Sequence, residues 1–275
     1  MQKLEGIDGG NAFDWGRASP DYAKYRDIYP EEFYRRMIEA GLCVKGQKIL
    51  DIGTGTGVLP RNLYKYGAKF TGADISENQI SEARRLSGEQ GMDIEYIVSS
   101  AEDVDFPVES FDVVTACQCF MYFDKAIALP KIHKMLKAEG RFCIVYMYHL
   151  PYEDEIARAS EELVLKYNPS WTGAGWRREE LTEPDWAPLL FAMDKAQAFD
   201  VMLPFTRESW HGRIKACRGI GASSLPPKTI AAFEKEHAAM LSRIPESFEI
   251  LHFVTIQSFV KNTPPGGKAN SGEVK

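Results

Sequence analysis

Short apolar runs alternate with helix-length polar segments between about residues 47 and 148, and this alternation limits the fold more than any other feature. The apolar runs are QKILDI, AKFTGADI, MDIEYIVS, FDVVTAC and GRFCIVYMY, each with the length and composition of a strand. Ser76 is an N-cap candidate for one intervening helix, and Asp124 opens another that closes on Gly140. Because strands separated by helix-sized crossovers pair in parallel, the pattern predicts an α/β fold with a doubly wound, mostly parallel sheet.

The segments on either side of this unit are predominantly helical. Two short helices, interrupted at Pro30, precede it, and the segments after it predict an amphipathic helix, a strand, two helices and a long final strand. We expect one domain over residues 1–262 and a disordered tail over 263–275. Its core spans about 40–150, with cap elements over about 12–40, 151–196 and 206–245.

Composition narrows the class of partner. The chain has 275 residues, 44% of them apolar, and a formal net charge of -6, which argues against a protein that binds nucleic acid by neutralising phosphates. The start lacks the pattern of a secretory signal, and no apolar run approaches the roughly 18 residues of a membrane span. Five cysteines at irregular spacing suit a reducing compartment. We expect a soluble, cytoplasmic monomer or homodimer that acts on a small molecule without contacting membranes.

A glycine-rich loop, ILDIGTGTG, joins the first predicted strand to the first helix. Gly53, Gly55 and Gly57 allow a tight turn and close approach of a ligand. Asp74, at the end of the next strand, is placed to accept both hydroxyls of a ribose. A dinucleotide site requires GxGxxG, whereas here the third glycine falls one residue early, and Asp51 suits a ligand that carries an ammonium and a sulfonium.

The segment LDIGTGTG resembles the first motif of the class I S-adenosylmethionine-dependent methyltransferases, and the resemblance covers about residues 50–142. It implies a seven-stranded Rossmann-like sheet with N-terminal helices and a helical cap inserted near the C-terminus, and S-adenosyl-L-methionine as cofactor. The implied cofactor contacts are Asp51, Gly53, Thr54, Gly55 and Gly57 around the methionine part, Asp74 on the ribose, Ile75 and Gln79 beside the adenosine, and Ala101 and Glu102 beside the adenine.

Ahead of this core, YAKYRDIYP resembles the YxxYRPxYP segment of the trans-aconitate-type small-molecule methyltransferases, within methyltransferase types 11 and 25. The resemblance implies that Tyr25 and Arg26 lie over the cofactor and that Arg26 contacts its carboxylate. Asp27 stands where the family often has proline, so we expect the helix to continue. The alternative is an aromatic stripe, which includes Tyr22, that packs at helical spacing.

The segment TACQCFMYFD follows the fourth strand, where ligands of open α/β sheets bind. It resembles the QAFHWFD segment of the same group, with Met121 in place of the histidine. Cys117, Gln118 and Tyr122 are therefore expected to face the cofactor and Met121 the acceptor. No second Cys or His pair has zinc-like spacing with Cys117 and Cys119, so we expect no metal site.

The acceptor site is predicted from the segments outside the core. A hydroxyl, thiol or carbon acceptor needs a base, for which His149 and His211 are candidates, whereas a carboxylate acceptor needs none. The arginines favour an anionic acceptor and O-methylation. A nicotinamide-dependent oxidoreductase and a non-catalytic S-adenosylmethionine-binding protein are the alternatives. The candidate acceptor contacts are Met121, Trp171, Trp176, Arg213 and Arg218.

Overall fold

A computed structural model describes residues 2–262, so the predicted disordered tail over 263–275 lies outside the described residues. These residues form one seven-stranded sheet in the order β3-β2-β1-β4-β5-β7-β6. The strands are β1 Lys48–Ile52, β2 Lys69–Asp74, β3 Glu95–Val98, β4 Phe111–Cys117, β5 Leu136–His149, β6 Phe191–Thr206 and β7 Ser247–Lys261.

The sheet is mostly parallel, as predicted. The pairs β1–β2, β1–β4, β2–β3 and β4–β5 are parallel, and β7 pairs antiparallel with both β5 and β6. Strand order reverses between β1 and β4, so the carboxyl ends of these two strands border the crevice in which ligands of such sheets bind.

Helices cover both faces of the sheet. The neighbours Ile49 and Leu50 belong to separate buried clusters, because successive side chains of a strand point to opposite faces. No helix within residues 2–262 is long and apolar enough to span a bilayer. The helices are α1 Ser19–Tyr25, α2 Glu31–Glu39, α3 Val58–Leu63, α4 Glu77–Glu89, α5 Lys125–Met135, α6 Glu155–Tyr167, α7 Arg207–Lys215 and α8 Pro227–Leu241.

Two predicted helix ends are wrong. The helix that opens at Asp124 ends at Met135 instead of Gly140, because Leu136 is extended and already pairs with β4. The first helix ends at Tyr25 and does not continue through Asp27. The Asp27 carboxylate instead accepts hydrogen bonds from Arg61 at 3.1 Å and from Asn62 at 2.9 Å.

The N-terminal segment is fastened to the C-terminal helical region. Phe13 forms isolated antiparallel bridges with Gln2 and with Ser223. Asp8 and Arg218, both almost fully buried, form an ion pair at 2.7 Å. These contacts hold the N-terminal segment against the segment between α7 and α8.

Candidate active site

A cavity lies at the carboxyl ends of the parallel strands and is bordered first by the loop after β1. Gly53 and Gly55 line it with φ of +70° and +56°, in the left-handed region that favours glycine. A Cβ on Gly53 would lie 2.6 Å from the Cys119 sulfur, so no larger residue fits there without movement. The predicted tight turn is therefore present, and its backbone is exposed to a ligand.

Asp74, at the end of β2, also lines the cavity. Its Oδ2 accepts a hydrogen bond from the Gly55 N–H at 2.9 Å, and its Oδ1 accepts one from the Ser76 N–H at 2.8 Å. Burial raises the pKa of this carboxyl above its usual value. Each oxygen has a further lone pair, so the carboxylate is held in a fixed orientation and can still accept two hydroxyl groups.

Ile75 and Gln79 lie beside Asp74 in the cavity wall. Ile75 is 52% exposed, an unusual state for a large apolar side chain in the loop before a helix. The Gln79 side chain donates to the Trp15 carbonyl at 3.2 Å, while its buried Oε1 has no partner within residues 2–262. Next to the Asp74 carboxylate, Ile75 thus supplies an apolar surface and Gln79 supplies a free hydrogen-bond acceptor.

Three residues predicted to surround the cofactor do not line the cavity. Asp51 is 1% exposed and accepts a hydrogen bond from Thr115 at 2.6 Å, and burial raises the pKa of its carboxyl to about 6. The Thr54 side chain is also buried behind the loop. Gly57 has φ of +72°, and a Cβ there would meet the Tyr96 hydroxyl at 2.3 Å. These residues support the loop from behind, and their predicted contacts with the cofactor stay predictions.

The segment after β3 forms the next part of the cavity wall, on the same side as Asp74. Ala101 and Glu102 line it as predicted, together with Ser99 and Ser100, which the sequence reading missed although they stand in the same motif. Glu102 accepts a hydrogen bond from the Asp124 N–H at 2.8 Å, which joins this loop to the start of α5.

On the α1 side, Arg26 lines the cavity and Tyr25 does not. Arg26 lines the cavity, and its guanidinium carbon lies 5.1 Å from the ring centroid of Tyr22, which lines the cavity too. Tyr25 points away from the cavity, because its ring packs on Gly212 of α7 and its hydroxyl donates to Glu208 at 2.9 Å. The residue missed here is Tyr22, which the sequence offered only as part of an aromatic stripe.

Residues after β4 form the floor of the cavity. Cys117, Gln118, Met121 and Tyr122 all line it, as predicted. Gln118 has φ of +64°, which is uncommon for a residue other than glycine, and its side-chain amide donates to the Met147 carbonyl. This bond connects the floor to β5 and fixes the strained residue in place.

The two cysteines of this segment are ordinary buried thiols. Cys117 donates to the Tyr29 hydroxyl at 3.2 Å, and Cys119 donates to the Ile52 carbonyl at 3.1 Å. Burial raises the pKa of Cys117 to about 12 and raises that of Cys119 as well, so neither is a thiolate at neutral pH. Within residues 2–262 no cluster of three or more His, Cys, Asp or Glu side chains could hold a metal ion.

Aromatic side chains form the wall opposite the glycine loop. Trp171 and Trp176 both line the cavity, as predicted. The Trp176 ring stacks on Tyr148 with centroids 4.7 Å apart, and its indole N–H donates to the Gly173 carbonyl at 3.0 Å. The wall therefore presents flat apolar surfaces in fixed positions.

His149, at the end of β5, lines the cavity and is 8% exposed. Its Nε2 lies 2.8 Å from Oε1 of Glu161 on α6, and Oε2 of Glu161 accepts the Gly175 N–H at 2.8 Å. Burial and the charge of Arg213 lower the pKa of His149 to about 3, while burial raises that of Glu161 to about 7. His149 is thus neutral and keeps Nδ1 without a partner among residues 2–262. No motif or spacing in the sequence points to Glu161.

His211, the second predicted base, does not line the cavity. Its Nδ1 lies 2.9 Å from Nδ1 of His237, and the two rings stack between α7 and α8. His237 in turn contacts the buried Ser160 hydroxyl at 3.1 Å. His211 is therefore part of the packing between α7 and α8 and is not brought to the cavity that His149 lines.

Arg213 and Arg218 both line the cavity, but in different electrostatic states. Arg218 is neutralised by Asp8. Arg213 is 5% exposed, forms no ion pair within residues 2–262, and its Nε has no hydrogen-bond partner there. Burial, and then the charge of Arg26, lower the pKa of Arg213 to about 9. An unpaired guanidinium thus remains in the cavity wall.

Residues 50–144 match the family described as methyltransferase domain. The ubiquinone biosynthesis O-methyltransferase of Bradyrhizobium diazoefficiens is 29% identical over 140 residues, which are 50% of this chain and 55% of that protein. The uncharacterized methyltransferase YcgJ of Bacillus subtilis is 27% identical over 194 residues, covering 68% of this chain and 74% of that protein. The chain spans about half the length of the first curated relatives that it matches.

The fold agrees with these matches. The crystal structure of the YcgJ protein from Bacillus subtilis has a TM-score of 0.53 and 23% identity, and covers 85% of this chain and 100% of that chain. The nearer resemblance to trans-aconitate-type enzymes stays a prediction. The free acceptors on Asp74 and Gln79 fit the ribose and adenine of an adenosine-containing cofactor. Residues 50–144 form a methyltransferase domain, and the described residues share the fold of the structure compared above.

Proposed function

We propose that the chain methylates a hydroxyl oxygen of a small molecule, with His149 as the base. One observation carries this proposal. A single cavity joins Asp74 and the glycine loop at one end to a buried, neutral histidine with a free ring nitrogen at the other. The name of the O-methyltransferase relative is consistent with an oxygen acceptor.

The donor half of the cavity would hold S-adenosylmethionine through this chain's own residues. Asp74 would accept the two ribose hydroxyls, and Ala101 and Glu102 would border the adenine. Arg26 would bind the carboxylate of the methionine part, where a charge-assisted hydrogen bond is stronger than a neutral one. The backbone around Gly53 and Gly55 would lie against the methionine chain, where no Cβ stands in the way.

When bound, the cofactor supplies an activated methyl group on a sulfonium, which reacts by in-line displacement. The chain contributes position, and orientation alone can lower the barrier by about 7 to 11 kcal/mol. His149 accepts the hydroxyl proton at Nδ1, while Glu161, which is ionised above about pH 7, accepts a hydrogen bond from Nε2–H and so fixes the tautomer. Trp171 and Trp176 exclude water from the acceptor.

Calorimetry tests the donor assignment. S-adenosylmethionine and S-adenosylhomocysteine should bind, and NAD should not. Tight NAD binding without S-adenosylhomocysteine binding would favour an oxidoreductase. A panel of small hydroxylated compounds, assayed for release of S-adenosylhomocysteine, then separates an enzyme from a non-catalytic binding protein.

Histidine variants test the base. His149→Ala should lower kcat by about 10²- to 10⁴-fold, the usual contribution of a general base, with little change in cofactor affinity. His211→Ala is the matched control, because that histidine lies outside the cavity, and it should retain activity. Equal losses in both variants would contradict the assignment of His149.

A further inference from the structure

Arg213 is a buried cation without a counter-ion. Its side chain lies in the cavity wall, 5% exposed, and its nearest aromatic partner is Trp210, whose ring centroid is 5.8 Å from the guanidinium carbon. A buried charge that is neither paired nor hydrogen-bonded destabilises a folded protein. A ligand that carries a negative charge can therefore supply the counter-ion that Arg213 lacks.

The other charges of the cavity are already assigned. Asp8 neutralises Arg218 at 2.7 Å, and Thr172 lies beside that pair. The carboxylates in the wall are Asp74, at the end of β2, and Glu102, on the loop after β3, and both lie in the donor half. Within residues 2–262, none of the ion pairs includes Arg213.

The donor does not supply the missing negative charge. S-adenosylmethionine carries a sulfonium, an ammonium and a carboxylate, so its net charge is positive, and its carboxylate is assigned to Arg26. A neutral acceptor would leave Arg213 unpaired in a cavity that already holds a cation. An acceptor with an acidic group would pair with Arg213 and would also offset the positive charge of the donor.

We propose that the acceptor is a small hydroxy acid, whose carboxylate binds Arg213 and whose hydroxyl lies at His149. This inference rests on the proposed function and names its substrate class. The flat surfaces of Trp171 and Trp176 border the same space, so an aromatic ring carrying both groups fits the wall. Arg213 then fixes the acid and thereby orients the hydroxyl toward the donor.

The test uses the full chain saturated with S-adenosylhomocysteine and two probes of one shape, benzoate and benzamide. Benzoate should bind and raise the melting temperature, and benzamide should bind at least about tenfold more weakly, since it offers no charge. Arg213→Met should weaken benzoate binding about ten- to hundredfold, and Arg213→Lys should weaken it less. Arg158→Met, which removes an exposed arginine of α6, is the control for net charge and should bind benzoate like the wild type.

Three results would overturn the inference. The first is equal binding of benzoate and benzamide by the wild-type complex, and the second is no binding of either probe. The third is a loss of S-adenosylhomocysteine affinity of about tenfold or more in Arg213→Met but not in Arg26→Met, which would mean that Arg213 holds the donor's carboxylate. Failure of the wild type to bind S-adenosylhomocysteine would instead contradict the proposed function, so the two failures are distinct.

Discussion

Replacing Asp74 by alanine should abolish most of the affinity for S-adenosylhomocysteine. The carboxylate already accepts the Gly55 and Ser76 N–H groups at 2.9 and 2.8 Å, which leaves one lone pair on each oxygen for a ribose hydroxyl. A hydrogen bond to a charged group contributes about 1.5 to 3 kcal/mol. Two such bonds amount to about 3 to 6 kcal/mol, so Kd should rise by about 10²- to 10⁴-fold.

Calorimetric titration of the cofactor product into each purified variant measures this change. Asp74→Asn keeps one acceptor oxygen and should fall between the wild type and Asp74→Ala. Asp112→Ala is the matched control, because Asp112 also accepts a strand N–H, from Lys48 at 2.8 Å, but does not line the cavity. A Kd for Asp74→Ala within about threefold of the wild type, in a variant that melts cooperatively, would refute the ribose assignment.

Three further predictions concern the loop, the buried acid behind it and the histidine's partner. Gly53→Ala should lower the free energy of unfolding in urea by about 2 to 4 kcal/mol, because the added methyl group meets Cys119. Gly91→Ala is the control, since Gly91 also has a positive φ, of +64°, but has open space around it, and this variant should lose only about 1 kcal/mol. Asp51 has a pKa of about 6 in the folded protein, above its unfolded value, so its ionisation lowers the free energy of unfolding as the pH rises from 4 to 6. Asp51→Asn should therefore be more stable than the wild type by up to about 3 kcal/mol at pH 8 and equally stable at pH 4. With an accepted substrate, kcat/KM should fall as the pH drops below about 7, because Glu161 then takes up a proton. Glu161→Gln should lower kcat and remove this inflection from the pH profile. An unchanged pH profile in the variant would contradict the role of Glu161.

The parts of the site that could be predicted from the sequence are those fixed by local chain geometry. Gly53, Gly55 and Asp74 stand at the ends of neighbouring parallel strands, so the strand pattern alone brings them together. Arg26, which stands in a sequence motif, also lines the cavity. Asp51 does not line it, because its side chain turns to the buried hydroxyl of Thr115 on the adjacent strand, an arrangement that depends on packing behind the loop.

The remaining parts depend on contacts between distant segments. Whether Tyr22 or Tyr25 faces the cavity is decided by how α1 packs on α7, since both tyrosines lie on one short helix. Glu161 becomes a partner of His149 only when α6 folds back beside β5. Arg213 and Arg218 are five residues apart and look alike in sequence, and only Asp8, near the other end of the chain, distinguishes them.

Three of the nine unpartnered buried side-chain atoms within residues 2–262 belong to cavity residues, where the protein gives up stability for function. The Oε1 of Gln79, the Nδ1 of His149 and the Nε of Arg213 lack partners within residues 2–262, and all three side chains line one cavity. Each such atom costs about 1 to 3 kcal/mol when left unsatisfied. A ligand that satisfies them binds the folded state alone, so it stabilises the protein according to its concentration relative to Kd. The donor product should therefore raise the melting temperature through Gln79, and an acidic acceptor should raise it further through Arg213 and His149. Because Gln79 lies on α4 beside Asp74, whereas His149 and Arg213 lie on β5 and α7, the second rise should remain when the donor site is already saturated.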